Sequence, residues 1–264
     1  MTRLTSHKIQ KLKYVRPIRC LTAYTSSIAK IVDQYVDIIL VGDSVGTVFY
    51  GMKNTQSVTL EMMKMHAKAV TLSSKNAFTI VDMPYKTYST KKEALKNAVE
   101  LLQYTKCQSV KLETDESTVD IVAHLVKNKI KVISHIGVTP QKYKNFNKIR
   151  SVGKNLKQQN KIIKLAKCLE NVGSSMIVLE CIRAVLAKKI TKSLRIPTIG
   201  IGSSVYCDGQ VLVTDDILNM DPDIKKPRFV KSYNNLSIHI KKAVKKYAFE
   251  VIKKKFPKEK NSYN

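Results

Sequence analysis

Apolar runs of about four residues recur along the chain, and each stops at a polar side chain. Ile38-Ile39-Leu40-Val41 passes through Gly42 into Asp43 and Ser44. Phe78-Thr79-Ile80-Val81 stops at Asp82, and Ser109-Val110-Lys111-Leu112 stops at Glu113. Lys131-Val132-Ile133-Ser134 stops at His135, and Met176-Ile177-Val178-Leu179 at Glu180. Runs without alternation are what strands covered on both faces require. Residues 18–22, 196–200 and 228–230 complete a set of eight strand candidates.

Segments of helical spacing separate them. Helices are predicted over residues 7–14 with Ser6 as cap, 26–35, 59–69 with Thr59 as cap, 90–104 from a Thr90-to-Glu93 capping box, 117–127, 158–172, 182–194 and 236–254. Residues 136–156 read as a long loop, and the tail from 258 to 264 as a disordered basic end. Strands alternating with helices predict parallel pairing. The expected fold is α/β: a (β/α)8 TIM barrel spanning 1–264 as a single domain, with a doubly wound open sheet as the alternative. No G-x-G-x-x-G turn or P-loop follows a strand, which argues against a nucleotide-binding sheet. In a parallel α/β protein the C-terminal strand ends form one face, so the five ionisable groups are expected to converge there.

Composition narrows the class. With 264 residues, 44% of them hydrophobic, the chain suits one large core. No apolar stretch approaches the roughly 20 residues of a membrane span, and the first residues lack a secretion core. A cytoplasmic location is expected. Five cysteines without a CxxC pair predict reduced thiols rather than disulfides or a zinc site. The net charge of +27 suggests nucleic acid or an acidic surface as partner. However, only seven of the 47 basic residues are arginine, and the lysines spread over the helices outside a cluster from 241 to 255. No nucleic-acid partner and no membrane are expected.

The strand-end groups suggest chemistry. Asp43 and Asp82 end early, neighbouring strands, and Glu113 could complete a set of hard oxygen donors that suits Mg²⁺ better than Zn²⁺. Alternatively, each acid caps the helix after its strand. Lys111 precedes Glu113 by two and shares its side of the strand. It either neutralises Glu113 or meets an anionic ligand. Glu180, on a later strand, is a candidate base rather than a ligand. His135 is either a polar substrate contact or a satisfied core histidine.

The chain also resembles the ketopantoate hydroxymethyltransferase family. The resemblance lies in Leu21-Thr22-Ala23-Tyr24, Val41-Gly42-Asp43-Ser44, Asp82-Met83-Pro84, Val110-Lys111-Leu112-Glu113, the stretch from His135 to Gln141, Leu179-Glu180-Cys181, the stretch from Ile196 to Gly202, and the stretch from Cys207 to Val213. These motifs run in order over nearly the whole chain. The resemblance implies a (β/α)8 barrel that transfers a hydroxymethyl group from 5,10-methylenetetrahydrofolate to 3-methyl-2-oxobutanoate. The product is 2-dehydropantoate, in the first committed step of pantothenate synthesis, through a Mg²⁺-stabilised enolate. It implies Mg²⁺ on Asp43, Asp82 and Glu113, keto acid contacts from Asp43, Ser44, Asp82 and Lys111, and Glu180 as proton acceptor. It also implies a homo-oligomer, a decamer. Thr114, Asp115, the stretch from Asn145 to Arg150, and Ser204 depart from the family pattern. The isocitrate lyase and phosphoenolpyruvate mutase enzymes also fit the strand-end acids, but no reactive-cysteine loop of their kind is present.

Overall fold

The structure, a computed structural model, describes residues 3–145 and 150–263. The chain divides into two compact units, Met1–Val213 and Thr214–Asn264. The first unit is a closed barrel of eight parallel strands in sequential order. They are β1 (Ile18–Thr22), β2 (Ile38–Val41), β3 (Phe78–Asp82), β4 (Ser109–Glu113), β5 (Val132–Gly137), β6 (Met176–Glu180), β7 (Thr198–Ile201) and β8 (Gly209–Leu212). Helix α1 (Ser6–Leu12) precedes β1. Helices α2 (Ser26–Val32), α3 (Val45–Val48), α4 (Leu60–Ser73), α5 (Lys91–Thr105), α6 (Val119–Lys127), α7 (Leu156–Asn171) and α8 (Ala184–Ser193) connect the strands. The second unit holds α9 (Thr214–Leu218), α10 (Leu236–Ile252) and a 3-10 turn at Glu259–Asn261.

The alternation of apolar runs with helical segments produces the barrel expected from the sequence, with one substitution of parts. Residues 228–230 form no strand. The eighth strand is Gly209–Leu212, and it closes the barrel by pairing with β1, Ile18 beside Gly209 and Cys20 beside Val211. Its apolar signal is short because Gly209 is needed there: a Cβ would stand 2.5 Å from the Ile18 carbonyl oxygen. Helix caps are ordinary hydroxyl caps. Thr5, not Ser6, caps α1 through Lys8 N, while Thr59 accepts from Met62 N and Thr90 from Glu93 N.

Two apolar layers follow from the period-two alternation of strands. Inward-facing Ile18, Cys20, Ile38, Leu40, Phe78, Ile80, Ile133, Met176, Val178, Ile199 and Val211 fill the barrel. Outward-facing residues such as Ile39, Val81, Val110, Leu112, Ile136 and Leu179 pack against the helices. Helix α1 closes the N-terminal end of the barrel. Ile9 is fully buried in the interior cluster. Gln10 Nε2 donates to the Ser175 carbonyl, and Lys13 Nζ pairs with Asp208 at 2.7 Å.

A buried acid marks that same end of the barrel. Asp37, just ahead of β2, accepts from both Nη atoms of Arg16 at 2.8 and 2.7 Å and from the backbone N–H of Arg19 at 2.9 Å. Burial alone would raise its pKa. The Arg16 and Arg19 hydrogen bonds outweigh burial and hold the carboxyl below the usual carboxylate range. A depressed folded pKa gives stability that is present above the unfolded value, about 3.9, and is lost as pH falls below it. Asp37→Asn is therefore expected to melt lower than the parent at pH 7, with the gap narrowing as pH falls below about 4. Thermal melts over this range check it; a gap independent of pH would contradict the assignment.

Candidate active site

Along each strand the inward positions change from apolar to ionisable toward the C-terminal mouth. On β3 the inward series is Phe78, Ile80, Asp82; on β5 it ends Ile133, His135; on β6 it is Met176, Val178, Glu180. Strand β4 is polar throughout on this side, with Ser109, Lys111 and Glu113 all buried. Register then sets the neighbours: Asp82 lies beside Lys111, Glu113 beside His135, and Gly137 beside Glu180. His135 sits inside β5, which runs on to Gly137, rather than at the strand's end.

Asp43 enters from the turn after β2. Its backbone N–H donates to Asp82 Oδ2 at 3.1 Å. Gly42 keeps this turn thin: a Cβ there would stand 3.0 Å from Ser44 Oγ and 3.5 Å from Asp82 Oδ2. Ser44 Oγ is 2.7 Å from the Tyr24 hydroxyl, and His66 Nδ1 lies 2.7 Å from the Tyr24 carbonyl. Lys111 Nζ is 3.0 Å from Asp82 Oδ1 and 3.5 Å from His135 Nδ1. His135 Nε2 is 3.1 Å from Glu180 Oε2, though off the line of an aligned hydrogen bond. The structure thus brings together Asp43, Ser44, Asp82, Lys111, Glu113, His135 and Glu180, every site residue predicted from the sequence.

The electrostatics follow from burial. Desolvation pushes Asp43 up, Asp82 up to about 7 and Glu113 well above the usual carboxylate range. Burial would lower Lys111, but Asp82, Asp43 and Glu113 outweigh it and raise it, so the ammonium stays charged. Burial and the Lys111 charge lower His135, which leaves a neutral imidazole. An ammonium only donates, so Nδ1, which faces Lys111, is the unprotonated nitrogen, and Nε2, on the side of Glu180, carries the proton without an aligned hydrogen bond to it.

Four carboxyl groups thus share one mouth with, among the described residues, the Lys111 ammonium, and a cation there would favour the charged forms that burial opposes. Asp82 Oδ1 is buried and, despite the nearby Lys111, has no aligned hydrogen bond. Clustered carboxyl oxygens of this kind fit Mg²⁺, a hard cation. Among the described residues no three His, Cys, Asp or Glu side chains form a ready-made metal cluster. Gln141 instead links Asp43 and Glu113: its backbone N–H donates to both Glu113 oxygens at 3.1 Å and its Nε2 to Asp43 Oδ2 at 2.7 Å. The sequence pattern singles out neither Gln141 nor Tyr88, whose hydroxyl reaches Gln141 Oε1. Neither ends an apolar run, so no hydrophobic pattern points to them.

The departures from the family pattern have local partners. The buried Thr114 donates from its backbone N–H and its hydroxyl to the His135 carbonyl at 2.7 and 3.0 Å. Asp115 pairs with Lys142 and caps Ser117. Ser204 accepts from Tyr206 N through its hydroxyl and from Gln210 through its carbonyl. Residues 146–149 of the stretch from Asn145 to Arg150 lie outside the described residues.

A parallel barrel with buried acids gathered at the C-terminal mouth is the architecture of a TIM-barrel enzyme, whose active site lies at that face. The sequence matches the family described as ketopantoate hydroxymethyltransferase over residues 3–259, and the chain belongs to that family. It is 46% identical to the 3-methyl-2-oxobutanoate hydroxymethyltransferase of Pelagibacter ubique, over 96% of each chain. It is 45% identical to the enzyme of that name from Rhizobium etli, over 97% of this chain and 93% of that one. In fold it is similar to a phosphonopyruvate hydrolase in complex with oxalate and Mg²⁺, with a TM-score of 0.60 at 10% identity, covering 98% of this chain and 93% of the other. A phosphoenolpyruvate phosphomutase from Streptomyces platensis gives the same TM-score, 0.60, at 9% identity, over 96% of this chain and 88% of that one.

Proposed function

We propose that this chain transfers a hydroxymethyl group from 5,10-methylenetetrahydrofolate to 3-methyl-2-oxobutanoate, giving 2-dehydropantoate for pantothenate synthesis. The observation that carries the reading is the division of the mouth into two sides. Asp43, Asp82 and Glu113 lie on or beside β2–β4, and Glu180 lies on β6 across the neutral His135.

Asp43, Asp82 and Glu113 would hold Mg²⁺, which when bound supplies Lewis acidity toward the 2-oxo and carboxylate oxygens of the keto acid. Lys111, kept charged by its carboxylate neighbours, offsets the substrate's negative charge. Ser44, held by Tyr24, and Asp82 supply the further polar contacts to the keto acid, with His135 beside them. Glu180 takes the C3 proton, and the C–H electron pair moves into the C2–C3 bond as the 2-oxo group gains negative charge. His135 Nε2–H steadies the receiving carboxylate. The carbon nucleophile then bonds to the methylene carbon of the folate; over the whole transfer the two C–N bonds of that carbon are replaced by this C–C bond and by a C–O bond to water, and tetrahydrofolate leaves with the C3 proton and one water proton on its nitrogens. A base should not also be a ligand, because a cation would depress its proton affinity.

Every residue of this proposal lies in the barrel unit. The same reading includes a cytoplasmic location and assembly of several copies, a decamer by family resemblance. No helix among the described residues is long and apolar enough to cross a membrane. Helix α10 exposes Ile238, Val244, Tyr247 and Phe249, apolar area that association of copies would cover.

Calorimetry of keto acid binding tests the metal side. Asp43→Ala and Asp82→Ala are each expected to lose Mg²⁺-dependent binding, because each removes a hard oxygen donor and a negative charge. Unchanged, metal-independent binding in both variants would remove the proposal.

A further inference from the structure

Gln141 is buried, 2% exposed, and all of its polar groups are bonded. Its backbone N–H bridges both Glu113 oxygens, and its carbonyl accepts from Gln56 Nε2 at 2.8 Å. Its side-chain Nε2 donates to Asp43 Oδ2 at 2.7 Å and to the Met83 carbonyl at 3.1 Å. Both of those partners are acceptors, so the amide fits only one way round, nitrogen toward Asp43 and oxygen away. Its oxygen meets the hydroxyl of the half-buried Tyr88. An amide oxygen only accepts, so the phenol donates. Flipping the amide would set its oxygen against the Asp43 carboxylate and its NH₂ against a hydroxyl turned to donate to it.

One residue in the 3-10 turn Pro140–Lys142 thus ties together three groups: its side chain holds the acid after β2 and the main chain after β3, and its backbone N–H holds the acid ending β4. Tyr88, in the segment between β3 and α5, fixes the sense of that tie. We infer that Gln141, oriented by Tyr88, is a positioning residue that sets the separation and direction of the Asp43 and Glu113 carboxylates for a divalent cation. The inference rests on the metal reading of the site proposed above and adds the residues that aim the ligands. Groups that orient metal ligands in this way commonly contribute about 10–100-fold to metal affinity.

Tyr88→Phe keeps the ring and removes only the hydroxyl. The full chain is titrated with Mn²⁺ alone, followed by the electron paramagnetic resonance signal of the free ion, so the readout needs no turnover. Tyr88→Phe is expected to bind Mn²⁺ about 10–100-fold more weakly than the parent. At saturating Mg²⁺ its KM for keto acid should rise while kcat stays near the parent's. Loss of a merely structural hydrogen bond would lower the melting temperature and leave Mn²⁺ affinity untouched. Gln141→Met, similar in length and without polar groups, gives an independent measurement with the same expected fall. Parental Mn²⁺ affinity in either folded variant overturns the inference while leaving the metal reading intact. A parent chain that binds no Mn²⁺ overturns both.

Discussion

Glu180→Gln is expected to bind Mg²⁺ and keto acid nearly as the parent does, yet to exchange the C3 proton with deuterated water about 10²–10⁴-fold more slowly, the usual worth of a general base. Glutamine keeps the length and the hydrogen-bonding reach of glutamate but cannot accept the proton. The geometry separates the two properties. Glu180 ends β6, next to Gly137 of β5, while Asp43, Asp82 and Glu113 belong to β2, β3 and β4. Its carboxylate Oε2 stands 3.1 Å from His135 Nε2. Nuclear magnetic resonance of the keto acid, with folate left out, isolates the proton step from transfer. Exchange at the parent rate would show that Glu180 is not the base and would make His135 the next residue to test.

Lys111→Met is expected to lower stability by about 3–5 kcal/mol, the usual cost of leaving one partner of a buried ion pair alone, which for a chain of this size is a fall of roughly 10 °C in Tm. Methionine fills the space of the lysine stem, so loss of charge rather than loss of volume dominates. The lysine and aspartate side chains are 8% and 3% exposed, and Nζ stands 3.0 Å from Asp82 Oδ1. Without the ammonium, three buried carboxyl groups and the partly buried Glu180 share the mouth with no cation among the described side chains there. Melting of the ligand-free protein measures the effect. A parental Tm would mean that Asp82 is neutral in the folded chain and that Lys111 serves substrate alone.

The site acids were legible because strands covered on both faces appear as unbroken apolar runs, so a polar residue closing the run stands out. Asp82, Glu113 and Glu180 occupy the last positions of their strands, as that pattern requires. His135 closes its run in the same way, but its strand continues two residues further, to Gly137. In the fold the Ser134 hydroxyl is satisfied by Ser174 Oγ at 2.6 Å, a contact 40 residues away that makes the polar residue compatible with a buried strand. The apolar pattern does not reveal strand β8. Gly209 and Gln210 break its apolar run, and its position is decided by closure against Ile18. Gln141 and Tyr88 lie between the regular elements that frame them, and their partners are 98 and 53 residues away. Their roles arise only when the strand ends have been brought into one ring, and no local pattern encodes that.

Helix α1, which stops the N-terminal end of the barrel, ties the order of synthesis to the order of assembly. Its bond from Gln10 reaches Ser175, 165 residues downstream, and its bond from Lys13 reaches Asp208, 195 residues downstream. At the usual pace of translation these partners emerge on the order of ten to forty seconds after the helix does. Ile9, fully buried in the finished barrel, has no enclosed interior to enter until β8 has paired with β1. Helix α1 is thus made long before it can find its place, and the barrel is sealed at that end only once the chain has been read into its final quarter.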